Sequence, residues 1–257
     1  MYYLRADPLG NSLYRLVDGH ETALTSERQV VNGDLRLSLD EHTISFESRI
    51  DSSRVLVIHD VASGTARRMP RNCSGCMGWL LPGAQGVLWS DLPLNSLVIS
   101  DTAGAKRRNV VITISGAVPN DSGWWLPGEP WTKNWALSPD GSQVALIAVS
   151  HNGTTLARVT LAGGATTILG RFPSDFGDVS IASWSKDGTI HLLRSLPERA
   201  GSALVALNSL TGTMQVEGML PFVCAARTAT YAATARRGAC TVPDQRADVM
   251  ILDGIRP

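Results

Sequence analysis

The chain has 257 residues, 44% of them hydrophobic, and its 23 Lys+Arg are balanced by 23 Asp+Glu. That length and apolar share exclude global disorder and allow one large all-β domain or two ordinary ones. The balanced charge argues against a protein built mainly to hold nucleic acid, and no apolar run has the roughly eighteen residues of a transmembrane helix.

The first segment, MYYLRADPLGNSLYRLV, lacks the basic start, apolar middle and cleavage site of a signal peptide. It reads as strands from its first residues, so the chain is expected to begin inside a structural unit and to continue upstream. SLYRLVDG (12–19) and ETALT (21–25) then alternate apolar and polar residues around a Gly break, which is the strand signal.

Next comes LRLSLDEHTISF, a hairpin pattern turning at Leu39-Asp40-Glu41, followed by RVLVIHDVASG (54–64). GWLLPGAQGVLW turns at Leu81-Pro82-Gly83-Ala84 and leads into NSLVISDTAG (95–104). WALSPDGSQVALI (135–147) turns at Ser138-Pro139-Asp140-Gly141 and leads into TLARVTLAGG (155–164) and TTILG (166–170). ASWSKDGTIHLL turns at Ser185-Lys186-Asp187-Gly188 and leads into ALVALNSLTG (203–212). ATYAATARRGACTV is a degraded copy turning at 232–235, followed by ADVMILDG (247–254).

Aligning the third turn position gives residues 40, 83, 140, 187 and 234, with gaps of 43, 57, 47 and 47. A period in the forties is the mark of a repeat architecture. Each unit reads as strand, tight turn, strand, loop, strand, Gly turn, strand. Four antiparallel strands in some forty residues make one propeller blade. Six units are expected, at 1–28, 29–70, 71–116, 130–172, 178–218 and 221–257, forming a single all-β propeller domain over 1–257. The first unit lacks its innermost strand, and the last has no clear fourth strand after Gly254, so the seam is expected to be truncated or irregular.

WALSPDGSQVALI and ASWSKDGTIHLL, each followed by a strand and a Gly turn, resemble the TolB-type or PD40 repeat, a WD40-like family. The resemblance is strong in units four and five and weaker in units two, three and six. The Gly-His and Trp-Asp pairs of true WD40 repeats are not present in order. The resemblance implies a β-propeller of the kind found at the C-terminus of larger bacterial proteins, including transmembrane Ser/Thr kinases and winged-helix regulators. It favours a periplasmic or extracytoplasmic setting. The chain has no room for the small α/β domain of TolB, nor for the α/β-hydrolase domain of prolyl-oligopeptidase-like enzymes.

The long gap contains AVPNDSGWWLPGEPW (117–131), which places Trp124, Trp125 and Trp131 in a Pro- and Gly-rich loop. Loop aromatics anchor peptide, sugar or protein partners; they also fold back to plug a channel or cover a sheet. These three are the candidate binding residues. Trp79, Trp135 and Trp184 precede repeat turns and are expected in the core. Asp140 and Asp187 are expected to cap turns rather than to bind metal, since Asp bonds nearby backbone N–H groups and Gly tolerates positive φ.

Cys73-Ser-Gly-Cys76 has the spacing of half a zinc site or a redox pair, but a zinc site needs a second pair. A local disulfide or two free thiols is the expectation there. The five histidines are scattered singly. Arg67-Arg68, Lys106-Arg107-Arg108 and Arg236-Arg237 are expected on solvated rims. No Gly-x-Ser-x-Gly elbow, His-Glu-x-x-His or phosphate loop occurs. The expectation is a monomeric, non-catalytic module that binds a protein, peptide or other ligand, without metal, cofactor or nucleic acid. The alternative is a propeller hydrolase or lyase with its site in the central channel.

Overall fold

The protein is seen in a computed structural model that describes residues 2–7, 10–17, 20–24, 36–37, 42–50, 53–70, 78–82, 86–91, 96–101, 103, 105, 107–112, 135–150, 153–173, 176, 178–196, 198, 201–224, 230–232, 237–241 and 249–253. Two compact units emerge: Met1–Asp91 with Ser96–Asn109, and Leu92–Asn95 with Val110–Pro257.

In the first unit, β1 (Tyr2–Asp7), β2 (Gly10–Val17) and β3 (His20–Ala23) form a three-stranded sheet. The second sheet is β4 (Arg36–Leu37), β5 (Thr43–Ile50), β6 (Ser53–Asp60) and β7 (Ala66–Pro70). The third is β8 (Gly78–Leu80), β9 (Val87–Asp91), β10 (Ser96–Ser100) and β11 (Arg107–Val111). The unit boundary falls within β11.

The second unit holds a fourth sheet, β12 (Trp135–Leu137), β13 (Gln143–Ser150), β14 (Gly153–Thr160) and β15 (Thr166–Phe172). The fifth is β16 (Val179–Trp184), β17 (Thr189–Leu196), β18 (Gly201–Asn208) and β19 (Met214–Leu220). The sixth, three-stranded among the described residues, is β20 (Thr230–Ala232), β21 (Arg237–Thr241) and β22 (Val249–Asp253). Each sheet is a meander of consecutive strands.

The inner strands β6, β13 and β17 bury apolar side chains on both faces. In β6, adjacent residues serve two cores: Val57 packs with Leu13, Ile44 and Phe46, while Leu56 packs with Met69, Val87 and Trp89. Side chains alternate across a strand, so both faces of the second sheet are covered, one by the first sheet and one by the third. Adjacent residues of β17 likewise serve two clusters. Ile190 and Leu192 join Ala145, Ile147, Leu156 and Phe172 of the fourth sheet, whereas Leu193 packs with Leu220 and Cys224. In β13 the run Val144–Ala148 is buried throughout. This is why its sequence reads as a continuous apolar stretch rather than an alternating one. Each buried Val, Leu or Ile there contributes about 1.5–3 kcal/mol by leaving water. Trp79, Trp135 and Trp184 are buried on first strands, as their place before the turns suggests.

Turn chemistry sets the hairpins. Between β12 and β13 the Gly141 N–H donates to the Ser138 carbonyl at 2.8 Å. The Asp140 carboxylate accepts from the hydroxyls of Ser138 (2.6 Å) and Ser142 (2.7 Å) and from the Ser142 N–H (3.0 Å). Between β16 and β17, Gly188 N–H donates to the Ser185 carbonyl (3.0 Å) and Asp187 accepts from the Thr189 N–H (3.0 Å). Gly141 at φ 72° and Gly188 at φ 87° hold the left-handed conformation that a Cβ disfavours.

The turns joining third and fourth strands are equally alike. Gly64, Gly164 and Gly212 each donate to the carbonyl four residues earlier, at Asp60, Thr160 and Asn208. The residue after each of those three then reaches the inner turn of its own sheet: Val61 N–H to His42 O, Leu161 N–H to Ser142 O, and Ser209 N–H to Gly188 O. Inner and outer hairpins are thereby stitched at one end.

Gly153 opens β14 at φ 125°, and a Cβ there would overlap the Phe172 carbonyl oxygen. Gly163, in the outer turn of the same sheet, has open space around it. Gly153→Ala should cost at least about 2 kcal/mol through strain and overlap, lowering Tm by roughly 4–8 °C. Gly163→Ala should leave Tm nearly unchanged; thermal melts of the two variants check this.

Candidate functional site

Trp124, Trp125 and Trp131 lie outside the described residues, as do Cys73 and Cys76. Asp140 and Asp187 sit in turns as caps. Hydrogen bonds from Ser138 and then Ser142 hold the Asp140 carboxyl below the usual carboxylate range, and the Thr189 N–H does the same for Asp187. Among the described residues no group of three His, Cys, Asp or Glu could hold a metal ion. Cys224 is buried and disulfide-bonded, and its N–H donates to Ser202 Oγ at 3.0 Å. Arg67 and Arg68 on β7 and Arg107 and Arg108 on β11 are exposed. No helix of the described residues is long and apolar enough to cross a membrane.

The polar constellation that the structure assembles centres on His191 of β17, only 2% exposed. Its Nδ1 lies 3.2 Å from Ser183 Oγ and 3.3 Å from Ser185 Oγ. Its Nε2 lies 3.4 Å from Glu217 Oε2. Burial pushes the His191 pKa down, against the opposing pull of Glu217 and Asp187. A hydroxyl, an imidazole and a carboxylate in series can activate a nucleophile. Here the imidazole is sealed inside the sheet. The SWSKDGTIH hairpin alone would have suggested Ser183 near His191. Glu217 carries no sequence signal, because it arrives from two strands away through a bulge in β19.

A second polar set ties the fourth sheet to the fifth. The Arg194 guanidinium lies 3.6 Å from the ring centroid of Phe176, and its Nε donates to the Phe176 carbonyl at 2.6 Å. Phe176 in turn stacks on Phe172, with centroids 4.8 Å apart. This strap pins the connection between β15 and β16.

The surface feature that stands out is β19. Met214, Val216 and Met219 are about half exposed, and Leu210, in the turn before it, is 82% exposed. Its one charged residue, Glu217, is about a third exposed and lies against His191. The outer strands β7 and β11 instead carry exposed arginines. Natural edge strands are commonly blunted by such charges.

No family model and no curated protein matches the sequence. Solved structures do match the fold. TolB from Acinetobacter baumannii is 16% identical with a TM-score of 0.58 over 83% of this chain and 50% of that one. The chain thus spans half the length of that TolB. An oligogalacturonate lyase in complex with manganese is 11% identical, TM-score 0.56, over 98% of this chain and 81% of that one. A chain of the nidogen/laminin complex is 12% identical, TM-score 0.59, over 98% and 89%. At these identities the likeness is one of fold, and the fold is an all-β, TolB-like β-propeller.

His59 of β6 is buried with both ring nitrogens unpartnered, and burial pushes its pKa down, as it does for His191. For a histidine depressed in the fold, the unfolded chain takes up the proton first. Stability is therefore whole above pH about 6.5 and falls as pH drops below it. Replacing His59 by Leu should raise Tm more at pH 5 than at pH 7.5. Melts at both pH values check this, and an equal change at the two would refute it.

Proposed function

We propose that the chain is a six-bladed, non-catalytic TolB-like propeller that binds a protein or peptide partner, as one part of a larger bacterial protein. The observation that carries this reading is the outer strand β19, where Met214, Val216 and Met219 are exposed, with Leu210 exposed in the turn before it. Contiguous exposed apolar groups on a folded protein mark interaction sites, and a free sheet edge can accept an extended segment through main-chain hydrogen bonds. A propeller of this fold occurs in the nidogen/laminin protein complex. The loop bearing Trp124, Trp125 and Trp131 is the second contact region, argued from its composition. The module is taken to be monomeric, without cofactor or nucleic acid.

The second reading is an enzyme, a hydrolase or lyase. It draws on the same fold in oligogalacturonate lyase. Turnover of oligogalacturonate with added manganese would support it over the binding reading.

Peptides selected from a displayed library on the immobilised protein test the proposal. Val216→Lys should weaken the selected peptides at least about tenfold, as a charge placed on an edge strand blocks pairing. Trp124→Ala with Trp125→Ala should do so if the loop contributes. Tm should stay within a few degrees in both. Peptides that bind every variant equally, or a failure to select any, would overturn the reading.

A further inference from the structure

We propose that His191, Ser183, Ser185 and Glu217 form a proton-operated latch that holds the outer strand β19 to its sheet. The geometry rests on two bulges. In β19 the register passes from Leu204↔Gly218 to Val205↔Val216, which leaves Glu217 without an opposite residue on β18. In β16 it passes from Ile181↔Leu192 to Ser183↔His191, which skips Ala182. Bulges re-aim side chains. One brings Ser183 opposite the imidazole and the other brings the Glu217 carboxylate back over the sheet to it. On the intervening strand β18, the residue opposite His191 is Ala206, whose small side chain leaves the path open.

The neutral ring satisfies this arrangement with Nε2–H directed at Glu217 and Nδ1 accepting from a serine hydroxyl. The contact with Glu217 is loose: Oε2 is buried and makes no full hydrogen bond. Among the described residues, Glu217 from β19 and Asp187 from the β16–β17 turn act on the ring as charges. β16 and β18 contain no charged residue. Arg194, on the same strand as His191, lies over Phe176, on the face that Ile190 and Leu192 share.

Adding a proton puts a full positive charge in a dry site. Loss of hydration outweighs the attraction of the two carboxylates. The least costly relief is to lift β19. Among the described residues, that strand pairs on one side only, with β18. Lifting it exposes the imidazole to water while the apolar core shared with the fourth sheet stays intact. Local openings of this kind are drawn from the weakly held edges of a fold, and a buried histidine that gains charge near pH 6 is a known trigger for them.

The test is hydrogen exchange of the full chain at pH 7.5 and pH 5.0, corrected for the intrinsic exchange rate at each pH. Amides pairing β18 with β19 should lose protection at the lower pH by at least about tenfold relative to those pairing β13 with β14. The imidazole resonances of His191 should titrate with the same midpoint. His191→Gln should abolish the differential loss. Glu217→Gln, which keeps the shape and removes the counter-charge, should move both midpoints to lower pH and serves if His191→Gln does not fold. Equal protection of the two pairs at both pH values would overturn the latch. So would a differential loss that survives in His191→Gln, or midpoints unmoved in Glu217→Gln.

Discussion

The structure depends on one constraint: its central strands are apolar on both faces. A sheet whose β6 points Val57 one way and Leu56 the other, or whose β17 does the same with Leu192 and Leu193, has no face to offer water. It persists only between neighbours. Stacking such sheets is the arrangement that hides both faces and leaves only outer strands exposed. Register then becomes critical, since a one-residue slip would exchange the two faces. The stitch from each outer turn to the inner turn of its own sheet fixes register at one end of the second, fourth and fifth sheets.

Among the described residues, the buried polar groups of this apolar stack are few and mostly paired. Trp89 Nε1–H donates to Ser100 Oγ at 2.8 Å, an Arg158 guanidinium N–H donates to the Ser209 carbonyl at 2.9 Å, and Ser202 caps the Cys224 N–H. These bonds cross strands or sheets and disfavour alternative packings. His59 and the Glu217 contact with His191 are the departures. They make the fold sensitive to protons at two places, in different units. The second lies beneath the strand that presents the apolar edge, so the surface most suited to a partner is also the one whose hold on the sheet depends on a titrating group.

Much of the fold was legible because it is encoded locally. Ser138-Pro139-Asp140-Gly141 specifies a hairpin by side-chain and φ preferences within a few residues. The same logic correctly placed Asp140 and Asp187 as caps and Trp79, Trp135 and Trp184 in the core. The candidate site was much less legible. Glu217 meets His191 across an intervening strand and through a bulge, and neither leaves a trace in periodicity. Phe176 under Arg194 depends on how one connection lies between two sheets. The exposure of Met214, Val216 and Met219 depends on β19 being the outermost strand of its sheet. The tryptophan loop, chosen for its composition, lies outside the residues described.

The central claim is that no sheet of this chain is stable without its neighbours. It is tested most directly by equilibrium urea unfolding, followed by circular dichroism, of the isolated fifth-sheet segment 178–224 beside the full chain. The account predicts a cooperative transition for the full chain and none for the segment. A cooperative, concentration-independent transition in the isolated segment would contradict it.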